Sequence, residues 1–437
     1  MADPSSSHDQ RDPTQSPDEV VVQITPPAAD TTLRRRQLNW ISEAIVPLLA
    51  IVTALLIGAV IVFFSAPAEK GSRIQVTINA FKGLFVGAFG NWAVPSTIPN
   101  AISGTLVTST PYILAGLAVA LGFKAGLFNI GAEGQLLMGA VGAAAVGVWL
   151  PTWLGVASLP TIIHLPLALL GGALAGGIWG AIPGYLRAKT GAHEVINTIM
   201  LNYIALRILD YLIVNGPMRA QGASLQRTPY IKESAALPRF VGVVRSADLT
   251  EGQTYQPFIP TTSPTWDLTI HSGLLIALLA VAFVWWLLRR TPSGFEIRTV
   301  GANPEAARYA GMSITRTFVL TMGLSGALAG LAGTGEVLGR DYNLKSVFSG
   351  GMGFDSIAIA LLAKSNPIAI IPAAIFWGAL RQGQGAMQIA SGISINLINI
   401  IQALVIIFIA ADQIVRWLYR IEGAEGGGMV FSRGWGK

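Results

Sequence analysis

The sequence predicts an all-α integral membrane protein with about ten transmembrane or half-spanning helices arranged as two inverted repeats. Three observations carry this. First, 52% of the 437 residues are hydrophobic and only 12% are charged, with a mean hydropathy of +0.56. That is too much apolar surface for a soluble core with so few charges to cover it. Second, apolar runs of roughly 20 residues, the length that crosses a bilayer as a helix, recur along the chain. Third, two blocks of helices running in opposite senses each carry a glycine-flanked carboxylate, Glu133 in the first and Asp355 in the second, a pattern that fits paired inverted repeats with interrupted helices.

Residues 1–36 are rich in Ser, Pro, Asp and Gln and have almost no aliphatic or aromatic cluster, the composition of a disordered tail. No short apolar stretch with a small-residue cleavage site marks a removable signal. Arg34, Arg35 and Arg36 stand directly before the first apolar run, residues 41–65, and by the positive-inside rule they place the tail in the cytoplasm. Residues 37–437 read as one transmembrane domain. Further helices are expected at 98–123, 126–150, 163–187, 193–214, 267–289, 314–338, 349–364, 367–388 and 393–416. The run 349–364 is short for a crossing and is expected to be a half-helix or a re-entrant piece. An even count returns the C-terminus to the cytoplasm. The charges agree: Lys124, Arg187, Lys189, Arg289, Arg290, Arg298, Arg308, Arg316, Lys364, Arg416 and Arg420 fall on the expected inner ends.

Two outer segments stand apart. Ile74 to Val94, with Lys82 and Asn91, reads as a helix lying at the membrane interface. Residues 215–266, with Pro217, Pro229, Pro238, Pro260 and Pro264 among them, form a long hydrophilic extracytoplasmic insertion. Within the helices, Gly172, Gly176, Gly180 and Gly184 line one face, and Gly326 and Gly330 repeat the spacing. Such small-residue faces are read as helix packing.

The polar stretch Gly126-Leu-Phe-Asn-Ile-Gly-Ala-Glu-Gly-Gln135 lies between two long apolar runs. An ionisable group at membrane depth is costly and marks a site facing protein or water; a polar loop at the membrane surface is the plainer alternative. On the inner side, residues 290–313 form a cytoplasmic loop in which Asn303 can cap a short helix, Pro304 can occupy its first turn, Glu305 suits its positive end and Gly311 stops it. Such a helix suits docking into another protein, or is merely a surface helix.

No phosphate-binding loop, zinc-protease motif or nucleophile elbow occurs in the chain. It is therefore expected to be no enzyme, and an active transporter built on it would need a partner ATPase or an ion gradient. With no Cys there are no disulfides or thiolate sites, and His8, His164, His193 and His271 match no metal-ligand spacing. The basic balance, pI near 9.6, follows the ends of apolar runs, the pattern of membrane topology and not of nucleic-acid binding.

Four stretches carry a resemblance: Gly126 to Gln135; Glu194-Val-Ile-Asn-Thr-Ile-Met-Leu-Asn-Tyr203; Gly301-Ala-Asn-Pro-Glu-Ala-Ala307 to Gly311; and Gly353-Phe-Asp-Ser-Ile-Ala-Ile-Ala-Leu-Leu362 followed by Asn366-Pro367. The chain resembles the permease subunits of ATP-binding-cassette (ABC) importers of the ribose and branched-chain amino acid superfamily, in particular their nucleoside branch. The resemblance implies an ABC permease fold in a bacterial cytoplasmic membrane. It implies that Asn303, Pro304, Glu305, Ala306, Ala307, Arg308 and Gly311 form a coupling helix seated on an ATPase subunit. It further implies a second, homologous permease, an extracytoplasmic substrate-binding protein, and a nucleoside as cargo. ATP and Mg would sit on the ATPase partner, with no cofactor on this chain. Ser356 and Ala363 depart from the pattern where Gly is expected, and the tail and insertion are longer than usual.

A nucleoside offers ribose hydroxyls and a base with mixed donors and acceptors, to which amides and a few carboxylates are suited. Asn129, Glu133, Gln135, Asn197, Asn202 and Asp355 are therefore the candidates for lining or bracing the path. Their alternative role is to hydrogen-bond broken helix ends, which lipid cannot satisfy. Arg381, with Gln382 and Gln384, is placed to pair with one of these carboxylates or to sit at the outer end of its helix; Arg207 and Asp210, three apart, are expected to pair with each other. Two rivals remain: the same machine carrying a simple sugar such as ribose, and an ion-driven secondary transporter working alone.

Overall fold

The computed structural model describes residues 29–67, 71–243, 258–261, 268–346, 348–394 and 396–420. Its helices are α1 (Ala29–Ser65), α2 (Arg73–Phe89), α3 (Ile98–Lys124), α4 (Ala132–Trp153), α5 (Thr161–Thr190), α6 (Glu194–Val214), α7 (Gly273–Arg290), α8 (Pro292–Ala302), α9 (Pro304–Tyr309), α10 (Ile314–Glu336), α11 (Met352–Leu362), α12 (Pro367–Ser391), α13 (Asn396–Ala410) and α14 (Asp412–Leu418). Among the described residues seven helices are long and apolar enough to cross a membrane: α3 to α7, α10 with the π-helical turn that follows it, and the Ile45–Ser65 part of α1. The short helices α11 and α13, with the 25-residue α12, complete the ten expected elements. The expected tail boundary at residue 36 falls inside α1, whose helix continues N-terminally from the apolar span through a mostly polar stretch that includes residues of good helix propensity such as Leu33, Arg34 and Gln37. The rest of the tail lies outside the described residues.

The bundle is built around α3, whose residues from Val107 to Gly122 are all buried. A helix apolar on every side belongs at the centre. Around it, antiparallel pairs set the order. Gly116 packs on Ile370 and Gly104 on Gln382, so α12 runs against α3. Gly58 packs on Ile401 while Thr53 Oγ1 lies 2.8 Å from the Tyr419 hydroxyl, so α1 runs against α13 and α14. The glycine face of α5 meets α10 antiparallel: Gly176 lies at Gly326, Gly180 at Met322 and Gly184 at Phe318. The opposite face of α5 exposes Leu170, Leu174 and Ile178, the side suited to lipid. The small-residue stripes thus serve helix packing, as the spacing predicts.

One expectation is corrected. Hydropathy places residues 74–94 in a helix lying at the interface, but α2 packs inside the bundle. It buries Val76, Ala80, Gly83, Leu84 and Ala88, with Gly83 and Gly87 set on Ala386 and Gly383 of α12. The contacts of Gly83 with Met387 and Ala390 and of Gly87 with Gly383 set α2 against α12 and therefore in the same sense as α3. The Ala88 carbonyl accepts a bond from Thr105 Oγ1 at 2.6 Å, and the chain doubles back between the two helices. Small residues on one face allow this close approach, and Lys82 lies on the exposed face. Hydropathy averages the two faces and misses it.

The inverted relation is visible in two matching units. In each, a long helix (α3, α10) gives way to non-helical chain, and a second helix (α4, α11) then starts partway across the bundle with a carboxylate in its first turn. Asp355 of α11 meets Tyr112 of α3, twelve residues before Lys124, which is about 18 Å from the end of α3 at 1.5 Å per residue.

Of the insertion, residues 215–243 and 258–261 are described. Its chain lies against the segment between α10 and α11 through Ile231 N–H to Tyr342 O at 2.9 Å and Leu237 N–H to Leu338 O at 2.8 Å. Two short strands, β1 (Val241–Val243) and β2 (Ile259–Thr261), pair in parallel there. Next to them His271 is buried, and that burial, with Arg239 and Arg340 nearby, holds its pKa down at about 4. The neutral ring accepts the Gly273 N–H at 3.1 Å through Nδ1.

A side chain at the α5–α10 contact is expected to break the bundle. A Cβ on Gly176 would lie 2.5 Å from the Gly326 carbonyl oxygen, and overpacking of this kind costs about 1–3 kcal/mol or more. Gly176→Leu is expected to lower the melting temperature and the monodisperse yield in detergent, while Leu174→Ile on the exposed face leaves both unchanged.

Candidate functional site

After α3 ends, Ala125 and Gly126 (φ 71°) turn the chain back. The loop then climbs along α3: Leu127 N–H bonds Gly122 O at 3.0 Å. Asn129 arrives beside Gln135, and their amides pair reciprocally, Asn129 Nδ2 to Gln135 Oε1 at 2.9 Å and Gln135 Nε2 to Asn129 Oδ1 at 3.0 Å. Asn129 Nδ2 also donates to Ser325 Oγ at 2.7 Å, and Ser325 donates to the Ala118 carbonyl at 2.5 Å. Both amides are buried, so this knot ties the start of α4 to α3 and α10.

From α6, Asn202 closes the same loop. Its Oδ1 accepts the Gly134 N–H at 2.8 Å and its Nδ2 donates to the Ile130 carbonyl at 3.0 Å. The first turn of a helix leaves N–H groups without intrahelical partners, and inside a bilayer only protein can satisfy them. Asn202 does so for α4.

Glu133 does so for α11. It sits in the first turn of α4 but reaches across, its Oε2 accepting the Gly353 N–H at 2.7 Å and its Oε1 the Ser349 hydroxyl. A carboxylate is favoured at the positive end of a helix, and this one serves a helix of the opposite repeat. Gly353 has no room for a Cβ against the Glu133 backbone, so the two helix starts touch.

Asp355 lies one turn on from Met352, outside that knot. Its Oδ2 accepts from Tyr112 at 3.1 Å and from Arg381 at 2.7 Å; the sequence offered Arg381 as a partner for one of the carboxylates. Beside them Thr108 Oγ1 donates to Gln382 Oε1 at 3.1 Å. The structure therefore brings Asn129, Glu133, Gln135 and Asn202 together as braces of broken helix starts and puts Asp355 in an adjacent ion pair. Asn197 stands apart from both, half-buried, its Nδ2 shut off from solvent without a hydrogen bond. Arg207 and Asp210 pair at 3.4 Å. Sequence reasoning did not single out Ser325, Ser349 or Tyr112. A hydroxyl within an apolar helix was the signal available for Tyr112 and Ser325; Ser349, in a glycine-rich loop, had none.

At the end of the bundle that carries Lys124, Arg289 and Arg290, two short helices project. The sequence did not separate α8 from the loop, although Thr291 followed by Pro292 is a helix start: Thr291 Oγ1 accepts the Gly294 N–H at 3.0 Å. Asn303 then caps α9 as expected, accepting the Ala306 N–H at 3.1 Å, Glu305 pairs with Arg308 at 3.2 Å, and Gly311 (φ 81°) follows its end. Ala307 is buried while its neighbours are exposed, Tyr309 to 94%. The last turn of α8 abuts the returning loop, with Gly301 against Gly126. The exposed helix is thus linked through a close backbone contact to the loop that carries Asn129 and starts α4. Among the described residues no group of His, Asp or Glu is placed to hold a metal ion.

Residues 101–410 match the family described as "Branched-chain amino acid transport system / permease component". Three similar proteins extend the comparison. The guanosine ABC transporter permease protein NupP of Bacillus subtilis is 39% identical, over 86% of this chain and 96% of its own length. The glucose ABC transporter permease protein TsgB13 of Haloferax volcanii is 34% identical, over 92% and 93%. The nucleoside ABC transporter permease protein NupB of Lactococcus lactis subsp. cremoris is 33% identical, over 86% and 93%. No solved structure matches the chain. With the family matched across most of its length and helices of membrane-spanning length on both sides of the two broken helix starts, the chain belongs to the family of branched-chain amino acid transport system permease components, as a multi-pass membrane transport subunit of the ABC type.

Proposed function

We propose that this chain is the permease of an ATP-driven importer that carries nucleosides across the bacterial cytoplasmic membrane into the cell. The observation that carries the cargo is the 39% identity to a guanosine permease across 96% of that protein's length. The second reading, a simple sugar such as glucose or ribose, is favoured by the 34% identity to a glucose permease. The ion-driven alternative has no comparable support, since the relatives are ABC permeases.

In this reading the basic end of the bundle and the N-terminus face the cytoplasm, and the insertion faces outward, where a substrate-binding protein delivers cargo. A second, homologous permease completes the channel. The ATPase subunit holds ATP and Mg and supplies the hydrolysis that this chain does not perform. Asn303, Pro304, Glu305, Ala306, Ala307, Arg308 and Gly311 seat α9 on that subunit. The exposure of α9 around a single buried residue, Ala307, supports this. When the ATPase pair closes, α9 moves with it, and the Gly301–Gly126 contact carries the movement to the loop that starts α4. Asn129, Gln135, Asn202 and Glu133 keep the two broken helix starts rigid as the repeats rock about them, while Asp355 and Asn197 line the route. A neutral amide such as Asn197 suits weak, passing contact with a polyhydroxylated, uncharged solute.

Two tests follow. Removing the cap and the first-turn carboxylate of α9 together, Asn303→Ala with Glu305→Ala, is expected to lower uptake about fivefold or more with the protein still in the membrane, an N-cap loss being worth about 1 kcal/mol of local helix stability. Undiminished uptake would identify a self-sufficient carrier. For the cargo, uptake of labelled guanosine is expected to be competed by unlabelled nucleosides and not by glucose or ribose; the opposite pattern favours the sugar reading.

A further inference from the structure

The ion pair of Asp355 and Arg381 is not needed to finish either broken helix. Glu133, itself bonded by the Ser349 hydroxyl, already serves the start of α11, and Arg381 lies deep in α12, fourteen residues after Pro367 and ten before Ser391. That is roughly 21 Å and 15 Å from the two helix ends. Yet the pair is not sealed: the Arg381 and Asp355 side chains are 20% and 18% exposed. A charged pair open to lipid at that depth is expensive, so the face that carries it meets water or protein.

That face is polar from Arg381 towards the end of α12. Arg381, Gln384 and Gln388 stand three and seven positions apart in α12, one stripe of the helix, and Gly385, one turn after Arg381, has no atom within 4 Å of where a Cβ would stand. Two groups on the stripe lack partners. Arg381 Nε and Gln384 Oε1 are shut off from solvent and make no hydrogen bond. Asp355 is also used on one side only. Both Tyr112 and Arg381 bond its Oδ2, and no hydrogen bond among the described residues involves Oδ1. A carboxylate held on one oxygen by a buried phenol and a guanidinium presents the other as a fixed, charge-assisted acceptor. Vicinal hydroxyls offer two donors of the kind that such an acceptor takes.

We propose that Asp355 is a hydroxyl-recognition point on the solute route, its Oδ1 accepting hydrogen bonds from the vicinal hydroxyls of a passing sugar ring, with Arg381 and Tyr112 as the positioning residues that fix it. The proposal rests on the nucleoside reading above and adds to it the part of the cargo that this chain reads. A contact of this kind discriminates without holding the cargo tightly, because it reads one pair of hydroxyls against a carboxylate already compensated by a cation.

The test compares uptake of a labelled ribonucleoside with that of its 2′,3′-dideoxy analogue, in cells producing this chain with its partner subunits. The binding protein is the same throughout, so any change in the ratio between the two originates in this chain. Asp355→Asn is expected to reduce the preference for the ribonucleoside by on the order of tenfold, the worth of one charge-assisted hydrogen bond. Arg381→Gln is expected to follow it, Arg381→Lys to recover most of the preference, and Tyr112→Phe to reduce it by a smaller factor. Should Asp355→Asn or Arg381→Gln fail to insert, the Tyr112→Phe ratio decides, since that change leaves the ion pair in place. Equal loss of uptake for both nucleosides in every variant, or no change in ratio, overturns the proposal and makes the pair a structural one. Absence of nucleoside uptake by the unaltered chain overturns instead the reading on which it rests.

Discussion

Two helices of this protein begin inside the membrane, and everything else in the bundle is arranged around what that costs. A helix start leaves backbone N–H groups with nothing to bond, and hydrocarbon offers them no water. The chain answers with side chains from elsewhere: Asn202 of α6 for α4, and Glu133 of α4 for α11. Hydrogen bonds to a charged group are each worth about 1.5–3 kcal/mol, and losing them leaves the buried partner unsatisfied. The Glu133 contact is therefore the joint between the two inverted units, made by the first turn of one upon the first turn of the other.

That joint explains the distribution of small residues. For Glu133 to reach Gly353, backbones must approach to where no Cβ fits, and the same closeness is repeated at Gly176 with Gly326. In lipid, helix association depends on such packing and on buried hydrogen bonds, because the surroundings are as apolar as the side chains. The Asn129–Gln135–Ser325 knot adds the second element, fixing the returning loop to α3 and α10. The same loop touches Gly301 at the end of α8, which puts the exposed α9 in mechanical contact with the joint in the proposed mechanism.

Much of this was legible in the sequence. Hydropathy and basic flanks located the ten crossing or half-crossing runs, and the shortness of the run at 349–364 marked α11 as a half-helix. The cap at Asn303 was readable because Asn, Pro and Glu in that order have one local use. Hydropathy misplaced α2, because a window averages a glycine face against an exposed face with Lys82, and it merged α8 into a loop because that helix has only three turns. The partners of the polar residues were harder to see. Glu133 is separated from Gly353 by more than two hundred residues of chain, and nothing local told a lining carboxylate from a capping one. The answer lay in the inverted packing, which periodicity cannot report.

The reading of this chain as an ATP-driven nucleoside permease is tested most directly by labelled guanosine uptake in cells that produce it with its partner subunits. The comparison is with the same cells carrying an ATPase subunit that binds ATP without hydrolysing it. The account predicts that uptake is present in the first and absent in the second, with the permease in the membrane at equal amount in both. Uptake that persists with the inactive ATPase would contradict it.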